Sequence, residues 1–152
     1  MRILILSDSH LRTWLLPQAL AAEPEAELII HLGDGAEAMP PYLEADRRPA
    51  FLLRGNCDKL LPCMTEILET DVAGSHIYAA HGHQHFVKYE IDKLALEARL
   101  HGADIVLYGH THMPFYEYLN GMHIFNPGAL QNGHYGVIDI VPQGILCVHK
   151  EV

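Results

Sequence analysis

The sequence predicts a single α/β domain over residues 1–152, with an end rich in antiparallel strands. In the first two-thirds of the chain, short aliphatic runs alternate with helix-like segments. In the last third, turn residues separate pairs of strand-like runs. A length of 152 residues with 49% hydrophobic residues is enough for one domain to bury its own core.

Four buried strands are predicted in the alternating part, at residues 2–7, 27–31, 50–53 and 104–108. Each is a short, nearly continuous aliphatic run, which is typical of strands covered on both faces. Helices are predicted at residues 14–22, 42–46 and 89–100. The first ends at the Glu23-Pro24 break, and Pro40 and Pro41 keep the second short because proline fits only a first turn. The third has apolar residues at i, i+3, i+4 and i+7, and Gly102 follows as its stop.

Three hairpins are predicted: residues 65–70 with 76–80, 115–119 with 122–125, and 135–141 with 145–149. Ala73-Gly74 and residues 142–144 supply two of the turns. Asn120-Gly121 supplies the other, and this dipeptide is typical of a type I′ turn.

Charge and composition exclude several classes of protein. The formal net charge of −9 argues against a non-specific nucleic-acid or anionic-membrane binder. No segment has signal-peptide anatomy or the length of a membrane span. The three cysteines, Cys57, Cys63 and Cys147, have no CxxC spacing, so neither a disulfide framework nor a thiolate zinc site is expected. A cytoplasmic location is therefore the default expectation.

Five of the apolar runs end in clusters of metal-ligating residues. The clusters are Asp8-Ser9-His10, Gly33-Asp34, Gly55-Asn56-Cys57-Asp58, His81-Gly82-His83 and Gly109-His110-Thr111-His112. Ligands of α/β sheets bind at the carboxyl ends of strands, so these clusters are expected to meet at one point.

The ligand types indicate two metal ions. Two aspartates, one asparagine and four histidines offer oxygen and imidazole donors, which suit Mn²⁺, Fe²⁺, Zn²⁺, Ni²⁺ or Co²⁺ better than Ca²⁺ or an iron–sulfur cluster. Seven ligands exceed the needs of one open site, whereas two ions can share a carboxylate. Taken singly, Asp8 and Asp34 could equally be helix caps, and Asn56 a turn residue. The remaining histidines, His31, His76, His101, His123 and His149, are interpreted as surface or satisfied core residues.

The ordered series DxH, GD, GN, H and GHxH resembles the calcineurin-like metallophosphoesterase superfamily, and in particular its compact YfcE-type phosphodiesterase branch. The resemblance extends from Met1 to about Gly128, including Asn126-Pro127-Gly128. It implies a metallophosphoesterase-like β-sandwich of two mixed sheets flanked by helices. It also implies the ligand sets: Asp8, His10 and His112 for one metal, Asn56, His81 and His110 for the other, and Asp34 as the bridge.

The function implied is that of a hydrolase with a binuclear metal centre, in which a metal-bridging hydroxide attacks a phosphodiester. Two divalent ions per chain are expected, Mn²⁺ first, with Ni²⁺, Fe²⁺, Zn²⁺ or Co²⁺ as alternatives. The expected partner is a small phosphate-ester substrate, without a stable nucleic-acid complex or a membrane; a homo-oligomer stays open. The alternative is a catalytically weak or inactive metal-binding scaffold for protein partners. A nuclease acting on polymers is disfavoured by the acidic balance.

The chain departs from the branch at the position of the expected proton donor. Many relatives have a histidine after the asparagine of the GN block, proposed to protonate the leaving group, and here Cys57 replaces it. His83 and Asp58 are the remaining catalytic candidates. His83, or His85, could reach the site or only support its ligands, and Asp58 is expected to orient Asn56 or a neighbour. Ala129 replaces the usual serine, and Arg54 and Lys59 are interpreted chiefly as solvated charges, with phosphate binding as the alternative.

Overall fold

Two mixed β-sheets stacked face to face form the molecule in the computed structural model, which describes all residues, Met1–Val152. In chain order the strands are β1 (Arg2–Leu6), β2 (Leu28–His31), β3 (Ala50–Leu53), β4 (Met64–Thr65), β5 (Ile67–Val72), β6 (Ser75–Ala80), β7 (Ile105–Leu107), β8 (Phe115–Leu119), β9 (Met122–Asn126), β10 (His134–Val141) and β11 (Gly144–Glu151). The α-helices are α1 (Leu16–Ala22), α2 (Pro40–Asp46) and α3 (Asp92–Leu100). The two mixed sheets confirm the predicted fold class.

The first sheet has the order β11-β10-β1-β2-β3-β4. Strands β1 to β4 run parallel, and β10 joins β1 antiparallel. The second sheet has the order β5-β6-β7-β9-β8, with β6, β7 and β9 parallel and β5 and β8 antiparallel at its edges. Each sheet therefore has a group of parallel strands whose carboxyl ends lie at one edge.

The core has three layers because successive strand side chains point to opposite faces. Ile3 and Ile5 of β1 join Ile77 and Ile105 of the second sheet between the two sheets. Leu4 and Leu6 face the other way and pack with residues of α1 and α2. On the outer face of the second sheet, α3 contributes Leu94, Ala95 and Ala98 to a third cluster.

Several predicted boundaries differ from the structure by one to three residues, and two of the differences have a clear structural reason. The helix predicted from residue 89 begins at Asp92, because the preceding loop turns back so that the Val87 amide donates to the Gly82 carbonyl (3.4 Å). The strand predicted at 65–70 is divided. Thr65 ends β4 beside β3 in the first sheet, and β5 begins at Ile67, opposite Ala80 in the second.

The helices are short. The longest, α3, has nine residues, and no helix has the length and apolar character that crossing a membrane would require.

Candidate metal centre

The predicted ligand clusters follow the parallel strands of both sheets. Asp8 follows β1, Asp34 follows β2, His81 follows β6 and His110 follows β7. Backbone hydrogen bonds tie these loops together: the Asp8 amide donates to the Gly33 carbonyl (2.9 Å), and the Gly109 amide donates to the His81 carbonyl (3.1 Å). The His110 amide donates to Asp8 Oδ2 (3.0 Å), which joins a loop of the second sheet to a loop of the first at the carboxyl ends of the strands.

The backbone at the predicted ligands is unusual. Nine non-glycine residues have a positive φ, and five of them are predicted ligands: Asp8, His10, Asp34, His110 and His112, with φ between 45° and 65°. Side chains with a Cβ seldom adopt this left-handed conformation, which costs energy and persists where surrounding contacts enforce it. Its concentration here indicates that the loops are shaped to aim side chains at a common point.

The first group of donor atoms comes from Asp8, His10 and His112, whose nearest ligand atoms all lie within 4.8 Å of one another. The Nε2 atoms of His10 and His112 are 3.2 Å apart, and His112 Nε2 lies 3.2 Å from Asp8 Oδ1. Asp8 is fully buried. These three residues are the set expected for the first metal.

The second group comes from Asp34, His81 and His110, again within 4.8 Å. His81 Nδ1 lies 2.8 Å from the Leu32 carbonyl, which orients the ring and leaves Nε2 3.3 Å from Asp34 Oδ2. Asp34 also belongs to a third group, with His10 and Cys57. Asp34 thus stands between the two histidine pairs, as a bridging carboxylate would.

The donor atoms fit a bound cation. Asp8 Oδ1 and His81 Nε2 are buried, and neither has a hydrogen-bond partner of acceptable geometry, although His112 and Asp34 lie close by. A buried polar atom left without a partner costs about 1–3 kcal/mol. A divalent cation would satisfy both atoms, and the carboxylate and imidazole donors suit a first-row metal.

Electrostatics keeps His110 and Asp34 in the forms that bind metals, whereas the two aspartates favour the protonated form of His81. Burial, reinforced by the charges of His81 and Lys88, lowers the pKa of His110 to about 4, so its imidazole is neutral at pH 7. Burial opposes ionisation of Asp34, but the nearby ring of His81 and the hydrogen bond from the Cys57 amide outweigh burial and lower the pKa of this carboxyl. Burial likewise opposes the charge of His81, and Asp34 and Asp8 together raise its pKa.

Asn56 precedes Cys57, a member of the third group. It is exposed in the loop after β3, and its Nδ2 donates to Cys57 Sγ at 3.2 Å. The Cys57 amide donates to Asp34 Oδ1 (2.7 Å), so this loop does reach the predicted bridge. Its assignment as a ligand stays a prediction.

Asp58 anchors two loops. Its Oδ2 accepts from the amides of Asp34 (2.7 Å) and Gly55 (2.8 Å), and its Oδ1 accepts from the amide of Gly35 (2.6 Å). The sequence interpretation that Asp58 orients a neighbour therefore agrees with the geometry, with Asp34 rather than Asn56 as that neighbour. A catalytic role for Asp58 stays a prediction, and both of its oxygens are engaged with the backbone.

His83 and His85 of the HGHQH segment face different ways. The ring of His83 lies 5.5 Å from that of His81 and 6.2 Å from that of His110, centroid to centroid. Burial, followed by the charge of His81, lowers the pKa of His83. His85 is buried against α3, with Nε2 3.1 Å from Glu97 Oε2. Of the two, His83 is the one beside the centre.

The other histidines lie outside the three ligand groups, as interpreted from the sequence. His31 is buried between Ser9 Oγ (3.3 Å) and the Gly33 amide (3.2 Å). The remaining four contact Asp71, Glu69, Tyr116 and the carbonyl of Asn126: they are His76, His101, His123 and His149.

Sequence reasoning missed three residues that support the ligands. Ser7 Oγ donates to Asp8 Oδ2 (2.5 Å), and Gln131 Nε2 lies 3.2 Å from His112 Nδ1. Asn126 Nδ2 donates to the Gly109 carbonyl (2.9 Å), fixing the loop before His110. Only Asn126 carried a signal in the sequence, through the Asn-Pro-Gly element.

Arg54, interpreted from the sequence as a solvated charge, forms an ion pair with Glu66 (3.0 Å).

Carboxylate and imidazole groups at the carboxyl ends of parallel strands from two stacked sheets define a metal-binding protein of the hydrolase type. The chain belongs to the calcineurin-like phosphoesterase superfamily, whose domain model matches residues 1–141. It is a member of a family of metallophosphoesterases, and divalent metal ions are the cofactors that this family implies.

Individual relatives agree with this family assignment. A probable metallophosphoesterase, YsnB of Bacillus subtilis strain 168, is 38% identical over 134 residues, 86% of this chain and 76% of YsnB. An archaeal phosphodiesterase has a TM-score of 0.79 at 20% identity, covering 99% of this chain and all of the other. Vps29 of Entamoeba histolytica in complex with zinc has a TM-score of 0.77 at 18% identity, covering 99% of both chains. At these identities the two structures show the fold alone.

Proposed function

We propose that this protein is a two-metal phosphodiesterase. The observation that carries the proposal is the pair of ligand groups joined at Asp34: Asp8, His10 and His112 on one side, His81 and His110 on the other. Two groups around a shared carboxylate are the arrangement that two ions a few ångströms apart require. Asn56 is proposed to complete the second group.

Two bound divalent ions would supply Lewis acidity toward the phosphate oxygens and a water nucleophile of lowered pKa. Mn²⁺ is the ion we propose, because carboxylate oxygens are a substantial part of the donor set. The zinc complex of Vps29, which shares this fold, supports Zn²⁺ as an alternative. The protein's own contribution is to hold the ligands: Ser7, Gln131 and Asp58 bind ligand side chains or their backbone.

Phosphodiesters are the proposed substrates, and a phosphodiesterase with this fold supports that choice. His83 is proposed to protonate the leaving group, because its ring neighbours His81 and His110 and its buried Nδ1 has no hydrogen-bond partner in the protein. Cys57 is less suited, because burial, followed by Asp34, raises the pKa of its thiol. The proposed setting is a chain that acts on small esters in the cytoplasm.

The proposal is tested by replacing the bridge. Asp34→Asn or His81→Ala is expected to lower kcat/KM for bis(p-nitrophenyl) phosphate with Mn²⁺ by more than about 100-fold. Residues that merely orient ligands already account for about 10–100-fold. Metal analysis of the purified variants is expected to show at least one ion lost. His101→Ala, an exposed histidine outside the ligand groups, is the matched control. Variants that keep full activity and full metal content would refute the assignment.

The proton-donor role of His83 is tested by the leaving group. His83→Gln is expected to reduce hydrolysis of diphenyl phosphate about tenfold more than that of bis(p-nitrophenyl) phosphate, because a poor leaving group depends more on protonation. His85→Gln, in the same segment but facing Glu97, is the control. An equal loss with both diesters would remove His83 from this role.

The alternative is a metal-binding scaffold without catalysis, and the likeness to Vps29 structures is the observation that favours it. A wild-type protein that binds Mn²⁺ or Zn²⁺ but hydrolyses no diester, monoester or single-stranded oligonucleotide would decide for the scaffold.

A further inference from the structure

A groove of about 530 Å³ opens beside the loop that carries the histidine ligands of both proposed metals. One wall is the segment 87–91, which follows His83 and folds back on Gly82. The other wall runs from Tyr108 through Thr111 to Phe115. Thr111 lies between His110 and His112 in the sequence, so the groove shares a wall with the centre.

The lining of the groove is aromatic and apolar, and much of it is exposed. Tyr89 is 89% exposed and Met113 is 69% exposed. Phe115 packs against the buried ring of Tyr108, with centroids 6.3 Å apart. A groove of this volume with an aromatic and apolar lining is typical of small-molecule sites.

The wall next to the ligands is held in place. Thr111 Oγ1 accepts hydrogen bonds from Asn126 Nδ2 (3.0 Å) and from the Met113 amide (3.3 Å). Asn126 in turn binds the Gly109 carbonyl (2.9 Å). The groove therefore has a fixed position relative to His110, as a substrate subsite requires.

The two charged side chains that line the groove have opposite signs. Lys88 and Glu90 line it together, one positive and one negative. A second phosphate would meet no net positive field there, whereas an uncharged ring would lose little polar solvation and could stack on the aromatic lining.

We infer that this groove binds an aromatic group esterified to the substrate phosphate. The inference rests on the proposed function, since the phosphate must be held at the metal centre for its ester group to enter the groove. The substrate class is thereby narrowed to phosphodiesters that carry at least one flat, uncharged ring.

The test uses inert analogues, so that it has a readout other than turnover. Phenylphosphonate and methylphosphonate carry the same anionic head and differ in the ring. Titration calorimetry with the Mn²⁺-loaded protein is expected to give phenylphosphonate a Kd at least about tenfold lower than that of methylphosphonate. Burial of one phenyl ring provides a difference of this size. The double variant Tyr89→Ala, Met113→Ala is expected to bring the ratio of the two Kd values close to one.

Both replaced side chains are exposed, so the double variant is expected to fold. The control is Tyr118→Ala, an exposed tyrosine of β8 that is not part of the groove and contacts His123 instead; it is expected to keep the wild-type ratio. Phe115→Ala repeats the test with a second residue of the wall that runs from Tyr108 to Phe115.

The outcomes separate the two proposals. Equal affinity of the wild type for both phosphonates, or a preference that survives in the double variant, overturns the groove while leaving the metal centre intact. If the preference for phenylphosphonate is lost in the double variant and no ester is hydrolysed, the groove is supported as a binding site for an aromatic ring. The proposed catalysis is then overturned. Failure of both phosphonates to bind overturns the proposed centre and the groove with it.

Discussion

At the scale of single residues, Asp58 has the most consequential contacts outside the ligands, because one carboxylate accepts from three amides of two loops. Asp58→Asn replaces one acceptor oxygen by a donor, so at least one of these amides loses its partner. The free energy of unfolding is expected to fall by about 1–3 kcal/mol. Urea denaturation monitored by circular dichroism measures it.

Because the same amides set the position of Asp34, Asp58→Asn is also expected to weaken metal affinity, by about 10–100-fold. Asp71→Asn, an exposed carboxylate on β5, is the control for stability. A stable Asp58→Asn variant with unaltered metal affinity would show that the loops hold Asp34 without this carboxylate.

The gathering of the predicted ligands other than Asn56 could be predicted from the sequence, because their clusters follow aliphatic runs and a strand end is a local property. The contacts that hold the predicted ligands in place could not be predicted. Gln131 reaches His112 across 19 residues of sequence, and Ser7 is a ligand's neighbour with no distinguishing pattern. Such contacts depend on tertiary packing, which the order of residues does not display.

At the scale of elements, Gly136 of β10 is a place where the two sheets approach closely. A Cβ placed there would lie 2.7 Å from Phe125 Cζ and 3.2 Å from Pro127 Cβ. The Phe125 ring is also stacked on His149, with centroids 4.6 Å apart, so its room to move away is limited.

Gly136→Val is therefore expected to destabilise the protein by about 1–3 kcal/mol through overpacking. The midpoint of chemical denaturation measures the effect. Val141→Ala, on the exposed end of the same strand, is expected to change stability by less than about 0.5 kcal/mol. Stability of Gly136→Val equal to that of the wild type would mean that the sheets can move apart locally.

Elements with strong local signals were predicted well. β3 has the predicted bounds, and the type I′ turn is confirmed by positive φ at both Asn120 (52°) and Gly121 (86°). The errors at α3 and β5 have different causes: a local turn that closes Val87 onto Gly82 precedes α3, whereas Thr65 is recruited by a tertiary contact with β3. Local pattern does not report such recruitment.

At the scale of the whole molecule, metal binding and folding are coupled, because a cation satisfies Asp8 Oδ1 and His81 Nε2 only when the loops are assembled. Mn²⁺ at about 100 times its Kd is expected to add about 2.7 kcal/mol of stability. For a chain of this size, that corresponds to a rise in Tm of about 5–10 °C.

A chelator is expected to reverse this rise in Tm, and the Asp34→Asn variant to show less of it, both by differential scanning calorimetry. A Tm independent of Mn²⁺ and chelator in the wild type would contradict coupling between the centre and the fold.

The order of strands was beyond sequence reasoning, although the family resemblance implied the two mixed sheets. The antiparallel pairing of β1 with β10 sets Arg2 opposite Asp139, and their side chains form an ion pair at 2.8 Å. Periodicity predicts that both segments are strands, but it does not say which strands are neighbours.

The ligand groups draw on both sheets: Asp8 and Asp34 extend from the first, His81, His110 and His112 from the second. An ion held by either group would link the two sheets, which are otherwise held together mainly by apolar contacts. Amide hydrogens of β2 and β6 would then exchange with solvent more slowly, and to a similar degree, when an ion is bound. The bound ions would thus also cross-link the two sheets.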